Sequence, residues 1–191
     1  MTAAPSAWVA RFAPLVPAGA AVLDLAAGGG RHSALFLGRG HPVTAVDRNV
    51  AALAGLRERE GARLEVIEAD LEDGTPWPLS GRRFGGIVVV NYLWRPLFDR
   101  VLDAVDEGGV LIYATFMTGH ERHGPPTRPD FLLRPQELLE VVRGRLQVIA
   151  FEQGLAGGGR PAAGRLAVRQ RICAGRSSAP WACPPWRPDP A

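Results

Sequence analysis

Residues Val22 to Asp47 read VLDLAAGGGRHSALFLGRGHPVTAVD, and this stretch decides the fold. Val22 to Ala26 reads as an apolar strand. Gly28, Gly29 and Gly30 then form a turn in which the backbone is free of the limits a Cβ imposes. Arg31 to Gly38 opens a helix whose Ala34, Leu35 and Leu37 should pack on a sheet, with Gly38 or Gly40 stopping it. Pro42 to Val46 is a second strand, and it ends on an acid, Asp47. Strand, turn, helix and strand make a βαβ unit, which implies a parallel pair.

Working outward, Ser6 is placed to cap a short helix presenting Trp8, Phe12 and Leu15, with Pro14 ending it. Downstream, Asn49 caps a helix that runs to Glu60. Arg63 to Ala69 is a third strand, again followed by an acid, Asp70. Asp70 to Arg83 is broken by proline and glycine and reads as a connection. Phe84 to Val90 is a strand buried on both faces, with Asn91 and Tyr92 at its end. Pro96 to Val105 reads as a helix, Glu107 to Gly109 as a turn and Val110 to Phe116 as strand five. Met117 to Phe131 is a loop in which Pro125, Pro126 and Pro129 bar helix, and a connection of that length is commonly functional. A helix over Leu133 to Val142 follows. Leu146 to Gln153 and Arg165 to Cys173 then alternate as two strands joined by LAGGGRPAAG, which predicts an antiparallel hairpin closing the sheet edge. The expectation is a Rossmann-like α/β fold. It has a seven-stranded, mostly parallel sheet, helices on both faces and a C-terminal antiparallel hairpin. One domain covers residues 1–174, and residues 175–191 form a proline-rich, disordered tail.

Composition narrows the chemistry. The chain has 191 residues, 47% of them hydrophobic, and a formal charge of +3. All 22 of its Lys and Arg residues are arginine. Without lysine there is no Walker-type phosphate lysine and no Schiff base. The arginines are scattered, which argues against a nucleic-acid partner. Cys173 and Cys183 make no disulfide framework and no zinc cluster. The N-terminus lacks a signal-peptide pattern, and no apolar run would span a bilayer, so a cytoplasmic protein is expected, monomeric or homodimeric.

Three acids mark successive strand ends: Asp24 within strand one, Asp47 after strand two and Asp70 after strand three. In an open parallel sheet these ends converge on one crevice. Asp47, roughly 20 residues beyond the turn, is where a carboxylate accepts from ribose hydroxyls. The helix N-terminus behind the glycines favours negative charge.

With these residues, Ala20 to about Arg171 resembles the class I S-adenosylmethionine-dependent methyltransferases. Asp24, Gly28 and Gly30 match the family's first motif, while Ala26 stands where its first glycine usually is. Arg31, His32 and Ser33 follow as in the small-molecule branch similar to the tellurite-resistance and thiopurine enzymes, and TFMTGHERHGPPTRPDFLLRPQEL also looks like that group. The resemblance implies S-adenosyl-L-methionine as cofactor and a small molecule as methyl acceptor. It implies that Ala26 and Gly28 to Gly30 back the methionine part, with Asp24 steering the amino group. Asp47, with Arg48 beside it, would hold the ribose, and Asp70 with Leu71 would read the adenine edge. Asn91, Tyr92 and Leu93 would border the methyl group. No metal motif and no N-P-P-Y motif is present.

Methyl transfer from a sulfonium is an in-line displacement, in which positioning carries much of the rate. If the nucleophile is protonated, a base is needed, and His120, Glu121 or His123 in the loop after strand five is the candidate, with Tyr92 beside them. Arg122 and Arg128 could bind an anionic substrate, and Tyr92 and Trp94 could wall its pocket. The alternatives are a NAD(P)-dependent oxidoreductase, which Asp47 would also suit, a nucleic-acid or protein methyltransferase, and a non-catalytic cofactor-binding module.

Overall fold

The computed structural model describes residues 3–157 and 166–176. Its strands are β1 (Val22–Leu25), β2 (Val43–Asp47), β3 (Leu64–Glu68), β4 (Phe84–Val90), β5 (Val105–Phe116), β6 (Gln147–Gly157) and β7 (Leu166–Gly175). All belong to one sheet in the order β3-β2-β1-β4-β5-β7-β6. β1 to β5 are parallel, and β7 runs antiparallel to both β5 and β6. The expected hairpin is therefore present. Its second strand is internal, and β6 forms the edge.

Helices cover both faces. α1 (Ala7–Phe12), α2 (Arg31–Gly38) and α3 (Ala54–Glu60) pack on one, through Trp8, Phe12, Phe36, Leu37 and Leu56 against Val22, Val88 and Ile112. α4 (Phe98–Asp103) and α5 (Glu137–Val142) pack on the other, through Val101, Leu102, Leu138 and Val142 against Leu23, Ile87, Val89 and Leu111. Alternation along each strand divides the two cores. α2 is turned slightly from the expected setting. Its buried face is His32, Ser33, Phe36 and Leu37, which leaves Ala34 and Leu35 half-buried.

Other boundaries differ from the sequence pattern for local reasons. Glu107 to Gly109 is no free turn. It lies within β5, where the register on β4 steps from Phe84–Val105 to Gly86–Val110, an outward bulge. Ser6 makes no side-chain cap; its backbone N–H donates instead to His32 Nε2 at 3.3 Å. α5 begins at Glu137, because Leu133 is drawn back to bridge Met117, taking and giving bonds with Phe116 and Thr118. At the C-terminal end the fold reaches Arg176, whose guanidinium donates to Val105 and Leu102 carbonyls, two residues past the expected boundary. Residues 158–165, between β6 and β7, and the tail from residue 177 with Trp181, Cys183 and Trp186, lie outside the described residues.

Candidate functional site

The site is built from the β1–α2 turn. Ala26, Gly28 and Gly30 all adopt positive φ, at 55°, 54° and 72°. Gly30 is favoured by its conformation, and a Cβ there would also press on the buried Leu53 side chain, 2.5 Å from Cδ2. Gly28 and Gly29 are the reverse case: a Cβ on either would meet nothing within 4 Å. The backbone there faces open room, which leaves it approachable by a ligand.

Asp47, at the end of β2, is tied into this turn. Its Oδ2 accepts the Gly28 N–H at 2.7 Å and its Oδ1 the Asn49 N–H at 2.9 Å. Each oxygen keeps a lone pair for another donor. The Asp47 carbonyl also accepts the Ala69 N–H, at 3.0 Å, which brings the β3 end alongside. There Asp70 is exposed and accepts the Glu72 N–H. Asp70, Leu71, Trp77, Pro96, Leu97 and Arg100 line a groove of about 290 Å³. Arg48 is exposed next to Asp47.

Asp24 is set deeper than the sequence suggests. It pairs in register with Ala45, two residues before Asp47, and is 1% exposed. The Ser33 N–H and hydroxyl both donate to its Oδ2, at 2.8 and 2.7 Å. Its other oxygen faces His32 Nδ1 at 4.0 Å. Asp24 thus braces the underside of the turn rather than lining the open cleft. Burial pushes its carboxyl up to about 7, against the Ser33 donations. Burial and then the Arg31 charge hold His32 down at about 4. With Nε2 accepting from Ser6, the neutral ring carries its proton on Nδ1, toward Asp24.

The other wall is the β4 end. Asn91 has φ of 60°, and its Oδ1 accepts from Arg169 Nη1 at 2.6 Å. The Tyr92 carbonyl accepts the Tyr113 hydroxyl. The Tyr92 hydroxyl itself is buried and makes no hydrogen bond of ordinary geometry among the described residues, with the Glu72 carboxylate close by. Burial, then the charges of Glu72 and Asp70, push this phenol well above its ordinary range. Trp94 is half-buried at the entry to a short turn, Arg95–Leu97.

Arg95 locks the loop after β5 against this wall. It grips Glu137 with Nε and Nη2, at 2.7 and 3.0 Å, and donates to the Asp130 and Leu132 carbonyls. Burial opposes ionisation of Glu137, but the Arg95 donations and the Arg134 N–H outweigh it and its carboxyl lies below the usual range. Within the loop, His120 is 5% exposed and both of its nitrogens are used. Nε2 faces the Pro125 carbonyl at 3.0 Å, and Nδ1 accepts the Val168 N–H at 3.4 Å. The structure gives it a packing position. Glu121, His123 and Arg122 are exposed, with Glu121 accepting the Gly119 N–H. Arg128 is occupied with Asp130 at 3.0 Å and lies over the Phe131 ring.

The structure thus brings Gly28, Asp47, Asp70 and the Asn91–Tyr92 corner around one rim, and leaves Arg122, His123 and Arg128 on the outer loop surface. Arg169 and Arg95 were not singled out from sequence. The alternation of Val168 to Cys173 places Arg169 and Arg171 on one face of a strand, but not over Asn91.

Residues 22–109 match the family model described as a methyltransferase domain. Over 40 residues, 21% of the chain, the sequence is 60% identical to ribosomal RNA small subunit methyltransferase H of Gemmatimonas aurantiaca, a match covering 13% of that protein. TehB from Haemophilus influenzae superposes with a TM-score of 0.72 at 18% identity, over 92% of this chain and 63% of that one. The chain therefore spans less than two thirds of both relatives. The Burkholderia thailandensis 1,6-didemethyltoxoflavin-N1-methyltransferase, solved with 1,6-didemethyltoxoflavin and S-adenosylhomocysteine, gives a TM-score of 0.63 at 22% identity, over 89% of this chain and 76% of that one. The matched span runs from β1 into β5, across the glycine turn and all three acids, and the chain shares its fold with these solved methyltransferases.

Proposed function

We propose that the chain binds S-adenosyl-L-methionine over the Gly28–Asp47 turn and transfers its methyl group to a small molecule held at the β4 and β5 ends. The observation that carries this reading is the Gly28 N–H to Asp47 bond, which fixes the acid beside a turn whose Gly28 and Gly29 open onto free room. The bound cofactor supplies an electrophilic methyl on sulfur. The chain supplies placement: Gly28 to Gly30 back the amino-acid part, Asp47 accepts from the ribose hydroxyls, and Asp70 with Leu71 meets the adenine edge. The Tyr92 hydroxyl, close to the Glu72 carboxylate, lies on the same side. Asp24 acts one layer below, by holding the Ser33 end of the turn.

The strand order supports this over an oxidoreductase. Dinucleotide-binding sheets run 3-2-1-4-5-6, whereas here β7 is inserted antiparallel between β5 and β6. For a protonated acceptor, Glu121 is the loop group left to take the proton, His120 being committed to the backbone and His123 lying on the outer loop surface. Among the described residues no helix is long and apolar enough to cross a membrane. We place the enzyme in the cytoplasm, as a monomer or homodimer with no nucleic-acid or membrane partner.

Calorimetric titration with S-adenosylmethionine, S-adenosylhomocysteine and NAD tests the reading. Binding of both adenosyl ligands and none of NAD is expected, and preference for NAD would overturn it.

A further inference from the structure

Arg169 lies on β7 at the carboxyl end of β5, where its register partner is Phe116. Its guanidinium sits over the Phe116 ring, 4.0 Å from the centroid, and Phe116 stacks in turn on His120 with centroids 4.2 Å apart. The stack holds the plane of the guanidinium fixed. One nitrogen is in use, Nη1, which donates to Asn91 Oδ1 at 2.6 Å. Nε and Nη2 donate to nothing, and no carboxylate pairs with Arg169, among the described residues. Arg171, two residues along the same face of β7, differs: its Nη1 lies 3.5 Å from Glu152 Oε2.

The charges around Arg169 are of its own sign. Burial, then Arg171 and Arg31, hold it down at about 10, so it stays cationic at neutral pH. Arg31 stands at the start of α2, and its charge reaches both Asp24 and Arg169. A half-buried cation with unused donors and like-charged neighbours is destabilised until an anion arrives.

The Asn91 contact adds direction. Arginine only donates, so this bond takes one lone pair of the Asn91 carbonyl and orients the Asn91 amide N–H group as a donor. Arg169, the Asn91 amide and Arg31 together offer donors and positive charge, which repels an ammonium group. The free Nε–Nη2 edge is a planar fork with the spacing of two carboxylate oxygens.

We propose that Arg169 anchors a carboxylate of the methyl acceptor, beside Asn91 at the end of β4, an assignment that rests on the methyl-transfer reading above. Arg169 positions the acceptor by a bidentate contact, Asn91 adds a third donor, and Arg31 supplies long-range attraction. The acceptor is thus an organic acid rather than a cationic amine.

The test separates this assignment from the reading beneath it. S-adenosylhomocysteine is first titrated calorimetrically into the wild-type protein; failure there removes the cofactor reading and the acceptor assignment with it. Benzoate, with acetate as the non-aromatic control, is then titrated into protein saturated with S-adenosylhomocysteine. Wild type should bind benzoate or acetate, Arg169→Met roughly tenfold or more weakly. Arg169→Lys keeps the charge but loses the fork, and should fall between the two. Melting temperature and S-adenosylhomocysteine affinity should match wild type in both variants; if Arg169→Met melts early, Arg169→Lys carries the comparison. Equal carboxylate binding by wild type and variants, or none by wild type, overturns the assignment and leaves the cofactor reading standing. If Arg169→Met weakens S-adenosylhomocysteine but not 5′-methylthioadenosine, which lacks the amino-acid tail, Arg169 serves the cofactor's own carboxylate and the acceptor assignment is likewise overturned.

Discussion

Gly28 and Asp47 are joined by a single hydrogen bond, the Gly28 N–H donating to Oδ2 at 2.7 Å. The turn that would back the cofactor's amino-acid part and the acid that would take its ribose therefore move as one body. Ligand contact at either end is felt at the other.

Asp47→Ala removes both the anchor and the ribose acceptor. Affinity for S-adenosylhomocysteine should fall by about 1.5–3 kcal/mol, the scale of a charged hydrogen bond. An unchanged dissociation constant by calorimetry would mean that this carboxylate does not face the ligand.

Ala26 carries a strain that glycine would not. At φ of 55° its Cβ is crowded, at a cost of roughly 1–2 kcal/mol. Ala26→Gly relieves that and adds unfolded-state entropy worth about 0.4–1 kcal/mol in the opposite direction. The net expectation is stabilisation of up to about 1.6 kcal/mol, read as a higher urea midpoint at constant slope. A lower midpoint would show that the strain is absent.

Asp24 and His32 have opposite effects on the pH dependence of stability. Asp24 titrates near 7 when folded against an ordinary 3.8. Between those values the native chain holds a proton that the unfolded chain has lost, so stability falls as pH rises. His32 titrates near 4 when folded against 6.5. Between those values the unfolded chain holds a proton that the native chain refuses, so stability climbs with pH. From pH 4 to 6.5 the two slopes oppose. Asp24→Asn should leave the rising limb alone and His32→Gln the falling one. Urea titrations across that range decide the matter, and an Asp24→Asn curve parallel to wild type contradicts it.

The Arg95–Glu137 pair governs the loop after β5. Glu137 is 2% exposed while the Arg95 side chain is a third exposed, so breaking the pair falls below the cost of a fully buried one. Glu137→Gln should destabilise by about 2 kcal/mol and raise amide exchange over residues 117–136. Because the folded carboxyl lies below its usual 4.5, the stability it adds is complete above that pH and is lost on acidification. The variant should lack that part of the acid transition. Unaltered loop exchange would show that Arg95 is not what holds the loop.

Much of the frame was legible because period and punctuation suffice for it. The run Val22 to Asp47 gives strand, glycine turn, helix and acid, and the structure keeps all four. Burial depth was less legible. Asp24 and Asp47 look alike along the chain, yet one sits two register steps deeper and is sealed by Ser33. Contacts that depend on folding topology left no local trace. Arg95 meets Glu137 across 42 residues, and Arg169 meets Asn91 across 78, a meeting that needs β7 beside β5. A hairpin could be read from Leu146 to Cys173, but its orientation on the sheet could not.

That orientation has a cost during synthesis. β7 follows every other described strand in sequence, yet it fills the gap between β5 and β6. Until it emerges, β5 presents an unpaired, apolar edge of the kind that recruits foreign strands. The high sequence separation of the late pairings predicts slow final closure, and a nascent chain halted before Leu166 should aggregate where the finished one does not.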